Sequence, residues 1–340
     1  MPVTIRDVAR ELGVHPSTVS RTFSAPRMVS EETRKRVLAT SARLGYRPNR
    51  AASALITGRT HNIGLIVADI ANPFFAPLIR SAQQQARVRD YHLFVGDTDE
   101  DPDVEAELVL ALAKQVDGVV LCSPRLSNPQ IIELSAETPL VVVNRRVEGI
   151  PAVLMDVAGG ARDAIEYLAD LGHRDVGLLA GPRTSWTSRE IRRAATRAAE
   201  RRGARLTVFG PNPPTEHGGY SRAGAVAESG VSAVLTYNDL MAIGLMEGLD
   251  ELKIAVPDRV SVVGIDDIPL SRLTRPKLTT IANPVMAAGR AAVDLLLQDP
   301  DGSAGANLTL QTTLVVRDSA GPGPHAPARP AGRRTHGRKA

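Results

Sequence analysis

Two sets of residues in this chain have the types and spacing to do chemistry. Near the start, Ser17, Thr18, Ser20 and Arg21 fall within five residues of one another on the outer side of a short predicted helix. They offer hydroxyls and a guanidinium, which suits phosphates and base edges. Farther along, apolar runs end repeatedly in polar residues: Asp69, Ser123, Asn144, Asp156, Asn238 and Asp266. Carboxylates, amides and a hydroxyl converging at strand ends would hold a small polar ligand. The residues of an enzyme are missing. No GxGxxG or P-loop occurs, and the seven His show no HExxH or HxH spacing, so no catalytic residue, metal site or cofactor is expected. His173, in the turn LGHRD, reads as structural.

The elements that must position these residues follow from caps and periodicity. Thr4 and Asp7 resemble a capping box for a helix with an Ile5, Val8, Ala9, Leu12 stripe, which Gly13 ends. Pro16 suits the first turn of a second helix that turns Val19 and Phe23 inward. Ser30 caps a third, with Glu31 and Glu32 at its positive end and Val37, Leu38 and Leu44 as its buried side. After residue 61 the pattern changes to strands such as NIGLIVAD, DGVVLCS, AVLTYND and VSVVGIDD. They alternate with helices near 74–89, 103–114, 159–171, 188–202, 239–251 and 284–297. This is an α/β chain with mostly parallel strands, enough of them for two sheets and a cleft between two lobes.

Charge separates the two regions. Residues 1–60 carry eleven Arg and Lys against four Asp and Glu, a net +7 beside +4 for the 340-residue chain. Five more basic residues lie beyond 320 without an acid, which leaves the middle net acidic. A basic head on an acidic body fits a double-stranded DNA partner. The 43% hydrophobic share supports a sizeable core, and the one cysteine, Cys122, cannot form an internal disulfide. With no signal-type segment and no apolar run of about 18 residues, a cytoplasmic protein without membrane contact is expected.

The head motif TIRDVARELGVHPSTVSR, the segment YRPNRAASAL and the body motifs DIANPFF, LGHRDVGLLAGP, YNDLMAIG, VSVVGIDDIPLS and LTTI resemble, in content and order, those of the LacI/GalR family of bacterial regulators. The resemblance runs from about residue 3 to residue 318. It implies an all-α helix-turn-helix head and a two-lobed, Rossmann-like core similar to periplasmic sugar-binding proteins. The expected domains are a DNA-binding head over 1–47, a hinge helix and linker over 48–60, an effector-binding and dimerisation core over 61–318, and a disordered basic tail over 319–340. A homodimer is implied; the tail lacks the leucine heptads of a tetramerising bundle.

Carried onto this sequence, the resemblance makes Pro16, Ser17 and Arg21 the base-reading positions, with Thr4, Thr18 and Ser20 near phosphates. Asn49, Ala52 and Leu55 fall in the hinge, where the leucine would wedge into the minor groove. His15 stands where Ser is usual, which predicts a weaker helix cap. For the effector, it points to Asp69, Asn72, Phe74, Ser123, Arg125, Asn144 and Arg145 from the first lobe. Asp156, Trp186, Arg189, Asn238 and Asp266 are expected from the second. Ile191 occupies a position where the family often has arginine, and Ala194 one where it has glycine, which predicts a neutral ligand such as a sugar. The function implied is a transcriptional regulator, a repressor by preference, controlled by that ligand. The alternative is a regulator that keeps the fold without responding to one; ligand-dependent operator affinity separates the two.

Overall fold

The computed structural model describes residues 3–46, 58–298 and 306–326. The hinge positions Asn49, Ala52 and Leu55 lie outside them. The chain forms two compact units, a head and a much larger core.

The head is three helices: α1 (Ile5–Leu12), α2 (Pro16–Ser24) and α3 (Glu31–Leu44). The Asp7 carboxylate accepts from the Thr4 backbone N–H at 3.0 Å and the Thr4 hydroxyl at 2.7 Å. Gly13, at φ 66°, ends α1 in the left-handed region that a residue with a Cβ enters at a cost. That geometry makes the turn into α2 tight. The cap of α2 is better than expected: His15 Nδ1 accepts from the Ser17 N–H at 3.2 Å, so the imidazole does what a serine hydroxyl would. Val8, Ala9, Val19 and Val37 form the buried centre, with Phe23, Leu44 and Tyr46 packed around it. One expectation fails. Leu38 is 45% exposed, and the inner side of α3 is Val37, Thr40 and Ser41. Positions 37, 40, 41 and 44 follow the i, i+3, i+4, i+7 stripe, whereas 38 lies about 100° around from 37.

The core alternates strands and helices. Its first lobe contains β1 (Asn62–Val67), α4 (Phe75–Val88), β2 (His92–Asp97), α5 (Pro102–Ala113), β3 (Val119–Cys122), α6 (Asn128–Leu134), β4 (Leu140–Val143) and β5 (Ala152–Met155). The second runs through α7 (Val157–Asp170), β6 (Asp175–Leu179), α8 (Trp186–Arg201), β7 (Arg205–Phe209), α9 (Glu216–Tyr220), α10 (Ala223–Glu228), β8 (Ala233–Thr236), α11 (Asp239–Glu251), β9 (Ser261–Asp266) and β10 (Thr279–Ala282). The chain then returns for α12 (Val285–Leu296), packed on α4, and β11 (Asn307–Leu310), and crosses again to β12 (Thr313–Val315). The sheets read β11-β5-β4-β3-β1-β2 and β12-β10-β9-β8-β6-β7. Observed pairings are parallel apart from β10 with β12. Buried Val, Ile and Leu on both faces of the inner strands match sheets covered by helices on each side.

The chain passes between lobes near Asp156, Asn283 and Thr312. Two of these crossings are tied: the Thr312 hydroxyl donates to the Asp156 carbonyl at 3.0 Å, and the Asp156 N–H to the Leu310 carbonyl at 2.9 Å. Of the disordered tail expected over 319–340, residues 319–326 are packed on the core. Ser319 is fully buried and accepts from the Thr279 N–H, while Gly323 and His325 donate backbone bonds to Leu171 and Gly172 on the second lobe. Small residues let this Gly/Pro-rich stretch lie flat and attach through its backbone, so composition misreads it as disordered. Among the described residues no helix is long and apolar enough to cross a membrane.

Candidate DNA interface and ligand cleft

In the head, α2 carries Arg21 exposed, with Pro16, Ser17, Thr18 and Ser20 half-buried and Thr4 exposed at the start of α1. The buried side of α2 is Val19 and Thr22. Arg21 therefore points away from the head's core, and its guanidinium has no partner among the described residues. Ser17 is committed locally, its hydroxyl lying 2.8 Å from His15 Nδ1. A helix held at both ends by caps, with an unpaired arginine on its free side, can enter a major groove and present that arginine to a base edge.

In the core, a cleft opens between the carboxyl ends of the two sheets, with about 460 Å³ of empty space including its mouth. Asn72, Phe74, Ser123, Arg125, Asn144, Asn238 and Asp266 are brought together around it. Three of these hold backbone conformations unusual outside glycine: Ser123 at φ 55°, Asn144 at 60° and Asp266 at 128°. Such strain, costing about 1–3 kcal/mol per residue, concentrates where strand ends are turned to aim side chains.

Five further expectations are placed elsewhere. Asp69 closes a turn by accepting from Ala71 N–H at 2.8 Å. Arg145 is consumed by the loop after β3, donating to the carbonyls of Pro124 and Leu126 and to Asn128 Oδ1. Asp156 caps α7 through Gly159 N–H at 2.9 Å. Trp186 begins α8, half-buried, and exposed Arg189 donates to the carbonyls of Arg183 and Thr184. For Asp69, Arg145 and Asp156 a nearer backbone or side-chain group takes the polar atoms that sequence position alone would leave for a ligand. Ile191 is buried among Ala195, Ala198 and Ala199, so the usual arginine position has become core.

The cleft also has residues that sequence position did not suggest. Glu100, itself at φ 65°, grips Arg125 through two bonds, Nε to Oε2 at 2.5 Å and Nη2 to Oε1 at 2.7 Å, while Nη1 donates to the Ser123 carbonyl. Buried Glu105 accepts from the N–H groups of Arg125 and Leu126, and burial raises its pKa against the pull of those bonds. Tyr237 is a second wall; its hydroxyl lies 3.1 Å from Ser185 Oγ, and burial pushes its pKa up. Thr187 reaches across the lobes to the Asn144 carbonyl at 3.3 Å. At the base, Asn283 Nδ2 donates to Asp266 Oδ1 at 2.9 Å, and its own buried Oδ1 has no partner among the described residues. Burial, then the charge of Asp239, hold the Asp266 carboxyl well above the usual range. Asn238 is largely spoken for, accepting from Met241 N–H and donating to the Pro214 carbonyl. A signal for Asn283 was available, since it lies just past the LTTI motif; Glu100 had none, because its place depends on how β2 ends.

A capped helix-turn-helix head joined to a two-lobed ligand cleft defines a DNA-binding transcriptional regulator, not an enzyme. Residues 4–49 match the bacterial regulatory proteins of the lacI family, and residues 165–320 match a periplasmic binding protein-like domain. The chain is 32% identical to the HTH-type transcriptional regulator GalS of Salmonella typhimurium, covering 93% of this chain and 96% of that one. It is 31% identical to the catabolite control protein A of Priestia megaterium, over 87% and 92%. Among solved structures, a lac repressor dimer bound to operator and an anti-inducer superposes with a TM-score of 0.84 at 28% identity, covering 94% of this chain and all of that one. A LacI family regulator of Enterococcus faecium with bound ribose gives 0.70 at 27% identity, over 77% and 99%. The chain belongs to the lacI family of bacterial transcriptional regulators.

Proposed function

We propose that this regulator is a repressor that binds a pseudo-palindromic operator as a homodimer in the cytoplasm, with Arg21 as the main base-reading residue. Its operator affinity is controlled by a small neutral polyhydroxylated molecule of the sugar class, held between the core lobes. The observation that carries the ligand class is the base of the cleft. Asn283 Oδ1 is buried beside Asp266 without a donor among the described residues, and an unmet buried acceptor costs about 1–3 kcal/mol until a hydroxyl reaches it. The cleft's charged groups support the same reading. Arg125 is neutralised by Glu100, and Ile191 is buried in the core, so among the described residues no unpaired cation lines the cleft to await an anion. Phe74 and Phe75, packed edge to face at 5.0 Å, supply an apolar wall for a ring face. The lac repressor bound to an anti-inducer and the Enterococcus faecium relative with ribose support a small-molecule role.

The test is a calorimetric screen of the full chain against neutral pentoses, hexoses and disaccharides, followed by operator titrations with any binder. A neutral sugar that binds and moves operator affinity supports the proposal. Binding confined to acidic ligands, or operator affinity indifferent to every binder, overturns it, the latter in favour of a regulator without an effector.

A further inference from the structure

A second cavity, separate from the cleft, opens on the second lobe where β6 and β7 end beside the start of α8. It is open to solvent, with about 660 Å³ of empty space counting its mouth. Gly181, Pro182, Val208 and Gly210 contribute backbone and apolar surface. Three arginines, Arg183, Arg189 and Arg192, line it, and no carboxylate does.

The imbalance is not relieved nearby. The Arg183 and Arg192 guanidiniums have no hydrogen bond or ion pair among the described residues, and Arg189 meets only the carbonyls of Arg183 and Thr184. Of the two acids on the same helix, Glu190 is held by Arg193 at 2.6 Å and Glu200 stands at the far, C-terminal end. Burial and then the charge of Arg189 hold Arg145 below the usual arginine range, so the positive field extends past the rim. Like charges gathered around one cavity repel, and an anion seated among them reverses the sign of that interaction. Guanidinium forks match phosphate oxygens in shape as well as charge.

We propose that this cavity is a second ligand site, which takes a phosphate-bearing small molecule. It shares a wall with the cleft. Thr187 lines the cleft, whereas the next two residues, Ser188 and Arg189, line the cavity. Gly181 lies so close to Tyr237 that a Cβ there would be 2.5 Å from its ring, and Tyr237 lines the cleft. Occupancy of the arginine cavity is therefore felt at Gly181 and at the start of α8, both of which touch the cleft's wall.

Trp186, the one tryptophan of the chain and the first residue of α8, is a built-in reporter. Its fluorescence in the full chain is titrated with inorganic pyrophosphate and with glucose 6-phosphate at constant ionic strength, against sodium chloride. A saturable change is expected with both phosphates and not with chloride. Replacing both free arginines, Arg183→Gln with Arg192→Gln, is expected to weaken it at least about tenfold, as removal of charge-assisted bonds implies. Asp266→Ala, in the cleft, should leave it intact. Both arginines are exposed and unpaired, so the double variant should melt with the wild type; Arg192→Glu supplies an independent loss of binding. A response no different from chloride overturns the proposal, as does undiminished binding by the arginine variants. A glucose 6-phosphate response lost in Asp266→Ala but kept in the double variant places the ligand in the cleft and also overturns it. None of these outcomes bears on neutral sugars in the cleft.

Discussion

Asp266 shows how one residue's surroundings set its chemistry. Its backbone is held at φ 128°, its carboxyl accepts from Asn283 on one side, and burial, then the charge of Asp239, raise its pKa. Asp266→Ala should weaken a neutral ligand by about 1–3 kcal/mol for each hydrogen bond removed, while Asp266→Asn, which keeps the shape and an acceptor oxygen, should retain part of the affinity. Operator binding without ligand should match wild type for both. Calorimetry and operator titration check this, and undiminished binding by the alanine variant removes Asp266 from the site. Arg21 is the counterpart in the head, exposed and unpaired on α2. Arg21→Ala should cost on the order of 1–3 kcal/mol in specific DNA binding and relax preference at one base position per half-site, read by selection from a randomised operator.

At the scale of elements, two packing decisions hold the second lobe in the form that presents Asn238 and Asp266. Helices α9 and α11 cross with almost no space between them: a Cβ at Gly244 would overlap the Glu216 carbonyl, and one at Gly219 the Met241 carbonyl. Backbone cannot yield as a side-chain tip does, so Gly244→Ala should destabilise the core by about 1–3 kcal/mol or more, measured by urea unfolding. The other decision is Asp239, which ties the start of α11 to Ser271, Thr280 and the Ile268 N–H. Burial outweighs those bonds and pushes its pKa up to about 6. A carboxyl raised in the folded state contributes fully below its ordinary pKa and loses that contribution as pH rises through 6. Between pH 4 and 7 the wild type should therefore lose on the order of 3 kcal/mol relative to the change seen in Asp239→Asn, whose absolute stability is lower but whose pH profile is flatter. Parallel profiles for the two proteins would refute it. These elements also mark what could be read from sequence. Long amphipathic helices and apolar strands were legible from period alone, and α11 over 239–251 fell on its expected bounds. The short α6, α9 and α10 and the four-residue β10 and β11 were not, since tertiary pairing rather than local pattern makes them. The cleft was legible as polar strand ends, but Asp69 and Asp156 satisfy backbone N–H groups two and three residues on, as turn and helix caps, and Arg145 carbonyls that only the folded loop brings near.

Taken whole, the chain separates its two electrostatic tasks. The basic excess lies in residues 1–60, while the charged residues lining the cleft are Glu100, Arg125 and Asp266. A ligand that favours one arrangement of the lobes acts where the chain passes between them, near Asp156, Asn283 and Thr312, and Asn283 itself lines the cleft. Under the proposed effector control, ligand and operator are coupled reciprocally, typically by about 1–3 kcal/mol, so each changes the other's affinity by the same factor, roughly 5–150-fold. Salt should report on the head alone. Each phosphate neutralised by the basic head lowers log K by about 0.9 per decade of salt, a count that a neutral ligand in the core does not alter. Operator titrations across salt, with and without a neutral ligand, should therefore give parallel lines displaced by the coupling energy. A ligand that changes the slope instead would mean that it alters how many phosphates the protein touches, and the separation of tasks argued from the charge distribution would not hold.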